Sequence, residues 1–187
     1  MPSHIAILME NQPGALSRVV GLFSQRGYNI DSLSVAPTQD PTLSRLTMTT
    51  SENPEIINQI LRQLYKLVDV VMVENLTEAE SYAIELAIIK IIASEKKVED
   101  TISKANNLEG RILNEKDGHI MFQIWGDSLD IDNLLASMKD EEFLEVTRSG
   151  LLGMTKGSIA LNLSLIHISE PTRRRGISYG VLWVKKK

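Results

Sequence analysis

The residues with the clearest potential for ligand binding lie between Asn11 and Leu16. Pro13 and Gly14 stand there between an apolar run and a segment whose apolar residues recur at helical spacing. Proline suits a first helical turn, since its missing N–H has no helical partner there, and glycine lets a ligand approach the backbone closely. The free amides and the positive dipole end of such a helix favour a small anion such as a carboxylate. A plain strand-to-helix turn without a ligand is the other interpretation of the same residues.

The elements that would hold this loop follow from the apolar pattern of the N-terminal part of the chain. A buried strand leads into the loop, and the helix after it ends at Gly27, because glycine takes the left-handed cap conformation at low cost. A second helix begins at Pro54 with Asn53 as its cap. The order β-α-β-β-α-β is that of the ferredoxin-like fold. The predicted strands are residues 4–9, 29–36, 43–50 and 68–73, and the first helix covers about 14–26.

The same pattern starts again after a polar, acidic stretch. The chain is therefore predicted to be an α+β protein of two tandem ferredoxin-like domains, residues 1–76 and 82–162, joined by a linker at 77–81. The second domain lacks the Pro-Gly loop. Its predicted strands are residues 82–93, 110–114, 119–125 and 143–147, and its predicted helices are residues 95–107 and 131–139.

The composition argues against several kinds of chemistry. The sequence has no cysteine, which excludes disulfides, thiolate metal sites and cysteine nucleophiles. Its three histidines, His4, His119 and His167, lie far apart and lack metal-ligand spacing, so no metal site is expected. No signal peptide and no apolar segment long enough to span a membrane is visible, so a cytoplasmic location is expected.

The charge distribution argues against nucleic acid as a partner. Residues 1–162 hold 14 Lys and Arg against 23 Asp and Glu, whereas nucleic-acid-binding domains carry basic patches. RNA-recognition modules share the predicted topology, but they stack bases on aromatic residues of their central strands, and the corresponding strands here have none. An acylphosphatase-like hydrolase would need an arginine in the first loop, and residues 11–14 offer none.

Several segments together resemble one family. The sequence is similar to the small, regulatory subunit of acetolactate synthase (acetohydroxyacid synthase) over about residues 3–162, and its first half resembles an ACT domain, a small-molecule sensor. The Pro-Gly loop alone would indicate only an ACT domain, whereas the run from Ser24 to Ile30 is far more specific. The segments that carry the resemblance are residues 11–16, 21–30, 33–38, 40–45 and 63–70, with Arg148, Ser149, Gly150 and Gly153 in the second half.

The resemblance implies a subunit without chemistry of its own. Such a subunit binds the large catalytic subunit, raises its activity and confers feedback inhibition by a branched-chain amino acid, usually valine. The catalytic subunit condenses pyruvate in the synthesis of valine, leucine and isoleucine, and it is expected to carry thiamine diphosphate, magnesium and FAD, with no cofactor on this chain. An ACT protein that stands alone and regulates another protein is the alternative, although no helix-turn-helix pattern is present.

The resemblance also assigns roles to individual residues. ACT domains of this family form homodimers with ligand sites between the two copies. Asn11, Gly14, Ala15 and Leu16 would hold the carboxylate of valine, while small apolar surface around Ala36 would suit its isopropyl group. Asn29 and Ile30 would complete the pocket from the facing copy, where the Asn29 side chain can accept from the ligand's ammonium. Turn chemistry is the alternative role of the two asparagines.

The C-terminal residues 163–187 do not fit the family pattern. Residues 163–173 resemble an in-frame translation of the transposase adaptor used to prepare sequencing libraries, and the remainder is interpreted as readthrough. The tail carries 6 Lys and Arg against one acidic residue. A natural basic extension is the alternative, but this segment is excluded from functional reasoning as a non-native tail.

Overall fold

The first sheet places the Pro-Gly loop between its first strand and its first helix. The structure is a computed structural model that describes residues 2–92, 98, 100, 107–138, 143–157 and 161. Its four antiparallel strands lie in the order β2-β3-β1-β4, which is the predicted ferredoxin-like topology. The elements are β1 (Ser3–Glu10), α1 (Ala15–Arg26), β2 (Ser32–Pro37), β3 (Leu43–Thr50), α2 (Pro54–Leu64) and β4 (Val70–Asn75).

One core lies between this sheet and its two helices. Alternate residues of β1 and β3, such as Ile7 and Leu46, point toward the helices and are fully buried. Both helices present an apolar stripe to them, as their periodicity predicts. The Asn53 side chain caps α2 by accepting from the Ile56 amide, and Gly27 ends α1 with a φ of 70°. Both predicted helix boundaries are therefore confirmed.

The second sheet repeats the topology of the first. Its strands β5 (Ser81–Ile92), β6 (Glu109–Lys116), β7 (His119–Gly126) and β8 (Phe143–Arg148) lie in the order β6-β7-β5-β8. Helix α3 (Ser128–Ser137) packs on this sheet through Ile131 and Leu134. The predicted helix 95–107 lies largely outside the described residues, although Val98 and Asp100 within it are helical. Residues 163–187 also lie outside the described residues.

Several boundaries differ from the predicted ones for identifiable reasons. Strand β2 begins at Ser32 instead of 29, so Asn29 and Ile30 lie in the preceding loop. Strand β4 begins at Val70 instead of 68, because Val68 is 85% exposed and Asp69 turns into the interior. Helix α3 starts at 128 instead of 131, since Asp127 caps it by accepting from the Leu129 amide at 2.9 Å.

A ninth strand, which the sequence does not predict, pairs with β5 and lies against the first sheet. Strand β9 (Leu152–Thr155) pairs with the first four residues of β5, next to the face of the first sheet that carries no helices. Gly153 packs closely there: a Cβ on it would lie 2.5 Å from Leu76 Cδ1 and 3.7 Å from Thr47 Cγ2. Arg45 donates from Nη2 to the Gly153 carbonyl at 2.7 Å. This cover explains why Thr47 is buried although it points away from the helical core.

Candidate functional site

Backbone and side-chain hydrogen bonds fix the loop between β1 and α1. The Glu10 amide donates to the Asp69 carbonyl at 2.8 Å, and the Asn11 amide donates to the Thr42 carbonyl at 2.7 Å. The Asn11 side chain donates from Nδ2 to the Pro41 carbonyl at 2.9 Å. Asn11 therefore ties the loop to the turn before β3, which is the turn chemistry that competes with a role in ligand binding.

The N-terminus of α1 has the properties that favour a bound anion. Gly14 precedes the helix with a φ of 88°, a conformation that glycine adopts without strain. No side chain caps the helix, and its first turn holds no acidic residue. The Ala15 amide donates to the Gln12 carbonyl at 3.2 Å. The next amides, those of Leu16 and Ser17, have no intrahelical acceptor because they lie in the first turn of the helix. An uncapped helix start of this kind stabilises negative charge.

A cavity of about 230 Å³ opens beside this helix start. The structure brings four of the predicted site residues together here, namely Asn11, Ala15, Leu16 and Ala36. The Ala15 side chain is only 1% exposed, so it forms the floor instead of offering a contact at the opening. Gly14 lies on the other side of the loop, in a groove with Arg18. The remaining lining residues are Met9, Glu10, Gln12, Val35, Pro37 and Ser44.

Asn29 and Ile30 lie at the opposite end of α1. The helix has 12 residues, so the two groups of predicted site residues are about 18 Å apart within one chain. The Asn29 side chain donates to Asp31 Oδ1 at 2.7 Å, and the Asn29 backbone carbonyl accepts from the Thr50 hydroxyl at 2.6 Å. Ile30 packs on the core of the first sheet. The predicted role of this pair thus depends on a second copy of the chain.

An ion pair behind the loop could not be predicted from the sequence. Arg18 of α1 donates to the buried Asp69 carboxylate from Nε and, at 2.8 Å, from Nη2. Gln12 of the loop donates to Asp69 Oδ1 at 2.8 Å and to Glu10 Oε2 at 2.7 Å. The hydrogen bond from Arg18, assisted by Gln12, lowers the pKa of Asp69 against the effect of burial. Because 51 residues separate Arg18 from Asp69, only the fold reveals that they meet.

Family models match both halves of the chain. One, described as an acetohydroxyacid synthase small subunit-like ACT domain, matches residues 5–72, and another, the small subunit of acetolactate synthase, matches residues 84–157. The chain is 44% identical over 154 residues to the acetolactate synthase isozyme 3 small subunit of Salmonella typhimurium, covering 82% of this chain and 94% of that protein. The chain belongs to the acetolactate synthase small-subunit family.

Other relatives agree with this assignment. The isozyme 3 small subunit of Escherichia coli is 43% identical over the same coverage of both chains. The crystal structure of the acetolactate synthase small subunit from Thermotoga maritima superposes with a TM-score of 0.74 at 26% identity, covering 85% of this chain and 99% of that chain. The resemblance noted in the sequence and the predicted α+β fold with an ACT domain are therefore confirmed.

The small-subunit fold holds a second buried ion pair, in its C-terminal sheet. Arg148 of β8 donates to Glu85 of β5 from Nε at 2.9 Å and from Nη2 at 2.7 Å. Its Nη1 donates to Asp132 of α3 at 2.5 Å. Burial opposes ionisation of Glu85, but hydrogen bonds from Arg148 and Ser128 outweigh it and lower the pKa of Glu85. This pair fastens α3 to the sheet.

Neither a metal-ligand cluster nor a membrane-spanning helix occurs within the part of the chain that the structure describes. No three of its His, Asp or Glu side chains come together as a possible ligand set. None of its helices is long and apolar enough to cross a bilayer.

Proposed function

We propose that this small subunit binds the catalytic subunit of acetolactate synthase, raises its activity and makes it sensitive to feedback inhibition by valine. The chain itself would be non-catalytic. Family membership supports the partnership, because a small subunit of this enzyme requires a catalytic one. The single observation that carries the sensing role is the uncapped start of α1, with no acidic residue in its first turn, beside a partly apolar cavity.

The geometry matches the two ends of a small apolar amino acid. In this proposal, the ligand's carboxylate accepts from the free amides at the start of α1, next to Gly14 and Leu16. Its side chain then lies against Leu16, Val35 and Ala36, which line the cavity. A volume of about 230 Å³ is below the usual range for pockets of drug-sized ligands and is suited to a metabolite as small as valine.

The proposal includes a homodimer that completes the site. Strand β2 forms one edge of the first sheet, so its outer backbone groups have no strand partner within the described part of the chain. Such an edge is able to pair with another strand. A second copy placed there would bring its Asn29 and Ile30 toward the cavity, since both residues lie in the loop just before β2, which begins at Ser32. In this arrangement residues 1–76 carry the sensing function and residues 82–162 form a separate domain.

Reconstitution tests the proposed function directly. The full chain is mixed with the catalytic subunit from the same source, and acetolactate formation is measured with and without valine. We expect the chain to raise the rate and valine to lower it again. A chain that neither stimulates the catalytic subunit nor transmits a valine response would overturn the proposal and favour a separate ACT regulator.

Replacement of Gly14 by a charged residue tests the loop. Gly14→Asp should raise the half-inhibiting valine concentration at least about tenfold relative to Gly14→Asn, because the added carboxylate repels the ligand's carboxylate and fills its space. The two replacements are nearly isosteric. Both carry the strain of a φ of 88° and the 3.0 Å approach of a Cβ to Arg18 Nη1, so their difference reports the added charge, including its attraction to Arg18.

The same two Gly14 variants provide a control and an outcome that would contradict a role of the loop in ligand binding. Stimulation of the catalytic subunit without valine should be equal in the two variants, since both keep the same backbone change. Valine sensitivity that stays at the wild-type value in both the Asp and the Asn variant would remove the loop from the ligand site.

A further inference from the structure

A second cavity, of about 460 Å³, lies between the two sheets, on the face of the first sheet that carries no helices. Strands β2 and β3 form one wall of this interdomain cavity, and the paired strands β5 and β9 form the other. Its volume is within the usual range for ligand pockets, and its lining is mostly apolar. Among the described residues that line it, Arg45 is the single charged one. The cavity thus combines apolar walls with one cation.

The interdomain cavity is separate from the cavity assigned to the amino acid. Ala36 and Pro37 line both cavities, so the end of β2 is the partition between them. On β3, Ser44 lines the amino-acid cavity, whereas Arg45 lines the interdomain cavity, because successive side chains of a strand point to opposite faces. A ligand held between the sheets would therefore occupy a different site from valine.

The guanidinium of Arg45 lacks a counter-ion at contact distance. Its Nη2 donates to the Gly153 carbonyl at 2.7 Å, and no carboxylate of the described residues forms an ion pair with it. Burial lowers the pKa of Arg45, and the more distant charge of Glu74 offsets this effect only in part. Charged groups that are taken out of water are ordinarily paired with an opposite charge. The half-buried Arg45 is thus suited to an anion that comes from outside the chain.

We propose that the interdomain cavity binds a small aliphatic carboxylate, whose carboxylate group pairs with Arg45 and whose hydrocarbon chain contacts β9. The planar guanidinium presents N–H donors in the geometry that a carboxylate accepts. The exposed side chains of Leu152 and Met154 line the same cavity, so a hydrocarbon chain there would remove apolar surface from water. The inference goes beyond the proposed function and does not depend on it, because neither the Pro-Gly loop nor the start of α1 lines this cavity.

The lining also selects among carboxylates. None of the described residues that line the cavity is acidic, so an ammonium group would have no partner there and would lie close to the cation Arg45. A carboxylate without an amino group is therefore favoured over an amino acid of the same skeleton.

The test uses 4-methylpentanoate as the probe and 4-methylpentanamide as its uncharged counterpart of the same shape. Each compound is titrated into the full chain, and binding is followed through the backbone amide signals in two-dimensional NMR spectra. We expect the carboxylate to shift the amides of Arg45, Thr47 and Gly153. The uncharged compound should bind at least about tenfold more weakly, because it cannot form a charge-assisted pair. Leucine, which adds an ammonium group to the probe's skeleton, should shift these amides far less.

Two sets of variants test the roles of the residues. Arg45→Met should weaken the binding of 4-methylpentanoate at least about tenfold, because it removes the cation but keeps an unbranched side chain. Since this change also removes the hydrogen bond to Gly153, a second pair of variants leaves that bond in place. Met154→Glu should weaken binding at least about fivefold relative to the nearly isosteric Met154→Gln, because a carboxylate at this exposed position repels the probe or pairs with Arg45 itself.

Three results would overturn the inference. The first is a wild-type chain whose β9 amides do not respond to 4-methylpentanoate, which is also the result expected if a second copy of the chain fills the cavity. The second is equal binding of 4-methylpentanamide or leucine, since Arg45 would then not select a carboxylate. The third is equal binding to Met154→Glu and Met154→Gln, with shifts centred on Asn11 and Leu16, which would place the probe in the amino-acid cavity. Valine inhibition is measured separately, so its absence would leave this inference intact.

Discussion

The two sheets each bury one carboxylate against one arginine, but only one of the two arginines is fully engaged. In the second sheet, Arg148 uses all three nitrogens, two on Glu85 and one on Asp132. In the first sheet, Arg18 uses two nitrogens on Asp69 and leaves Nη1 beside Gly14. The same chemical pair thus fastens a helix in one domain and leaves a donor at a helix start in the other. The second pair is therefore closed within the fold, whereas the first, within the described residues, leaves one nitrogen unused on an arginine side chain that is 45% exposed.

The helix starts differ in the same way. Asn53 caps α2 and Asp127 caps α3, each with a side-chain oxygen, and each of these helices has an acidic residue in its first turn. Helix α1 has neither feature. Within the described helices, the one that follows the Pro-Gly loop is therefore the one that leaves room for an external anion.

The strongest test of this comparison is Arg148→Met. It leaves the Glu85 carboxylate, whose side chain is only 5% exposed, without its cationic partner. We expect a loss of about 3 kcal/mol in the free energy of unfolding, the lower end for a broken buried pair, because Arg148 is one-third exposed. Urea titration followed by circular dichroism measures the loss. Valine affinity should stay at the wild-type value, and a large fall in that affinity would contradict the separation between the two pairs.

Acid should weaken both pairs and lower the free energy of unfolding, because the pKa values of both carboxyl groups are lowered in the folded protein. Asp69 titrates below its ordinary 3.8, mainly through the Arg18 hydrogen bond. Glu85 titrates below its ordinary 4.5, since its hydrogen bonds outweigh burial. Each group therefore stabilises the fold above its unfolded-state pKa, and this contribution is lost as the pH falls through the folded-state value. Asp69→Asn and Glu85→Gln should each reduce the loss of stability that wild type shows between neutral and acid pH.

The acid prediction is measured as the urea midpoint from about pH 7 to about pH 3. Hydrogen exchange should assign each effect to one domain. Asp69→Asn should change the acid response of the β1 amides, and Glu85→Gln that of the β5 amides. If the urea midpoint falls with pH as steeply in both variants as in wild type, other carboxylates dominate the acid response.

Loss of a helix cap should give the smallest effect. Asn53→Ala and Asp127→Ala should each lower the free energy of unfolding by about 1 kcal/mol, because an amide at the helix start loses its acceptor. Asn58→Ala, on an exposed position inside α2, is the control and should stabilise slightly through helix propensity. Thermal unfolding checks all three, and a cap variant that behaves like the control would remove the contrast with α1.

Local patterns in the sequence were sufficient to predict most of the fold. Strand alternation, the Asn53-Pro54 helix start and the glycine that ends α1 each depend on neighbouring residues, so one sequence reveals them. Strand β9 was missed because it is short and its apolar residues lie outward: Leu152 and Met154 are 46% and 62% exposed, whereas Gly153 packs against Leu76 and Thr47. Its place depends on contacts with another domain.

The candidate site was predictable only in part. The Pro-Gly loop and the apolar residues beside it follow from local spacing, and the structure gathers Asn11, Ala15, Leu16 and Ala36 around one cavity. Asp69 gives no local signal, since an acidic residue between a helix and a strand is ordinarily solvated. Only the meeting of α1 with the start of β4 reveals its contact with Arg18. The roles of Asn29 and Ile30 stay predictions, because they depend on a second chain.

Strand β5 belongs to two structures at once. Its first four residues pair with β9 beside the first sheet, and the next eight pair with β7 or β8 in the second. Side chains alternate along a strand, so a slip of one residue would carry Ile89 out of the second core and also shift the residues that pair with β9. A misaligned β5 would therefore lose favourable contacts at both of its ends. The same strand thus aligns the second sheet and helps to cover the first.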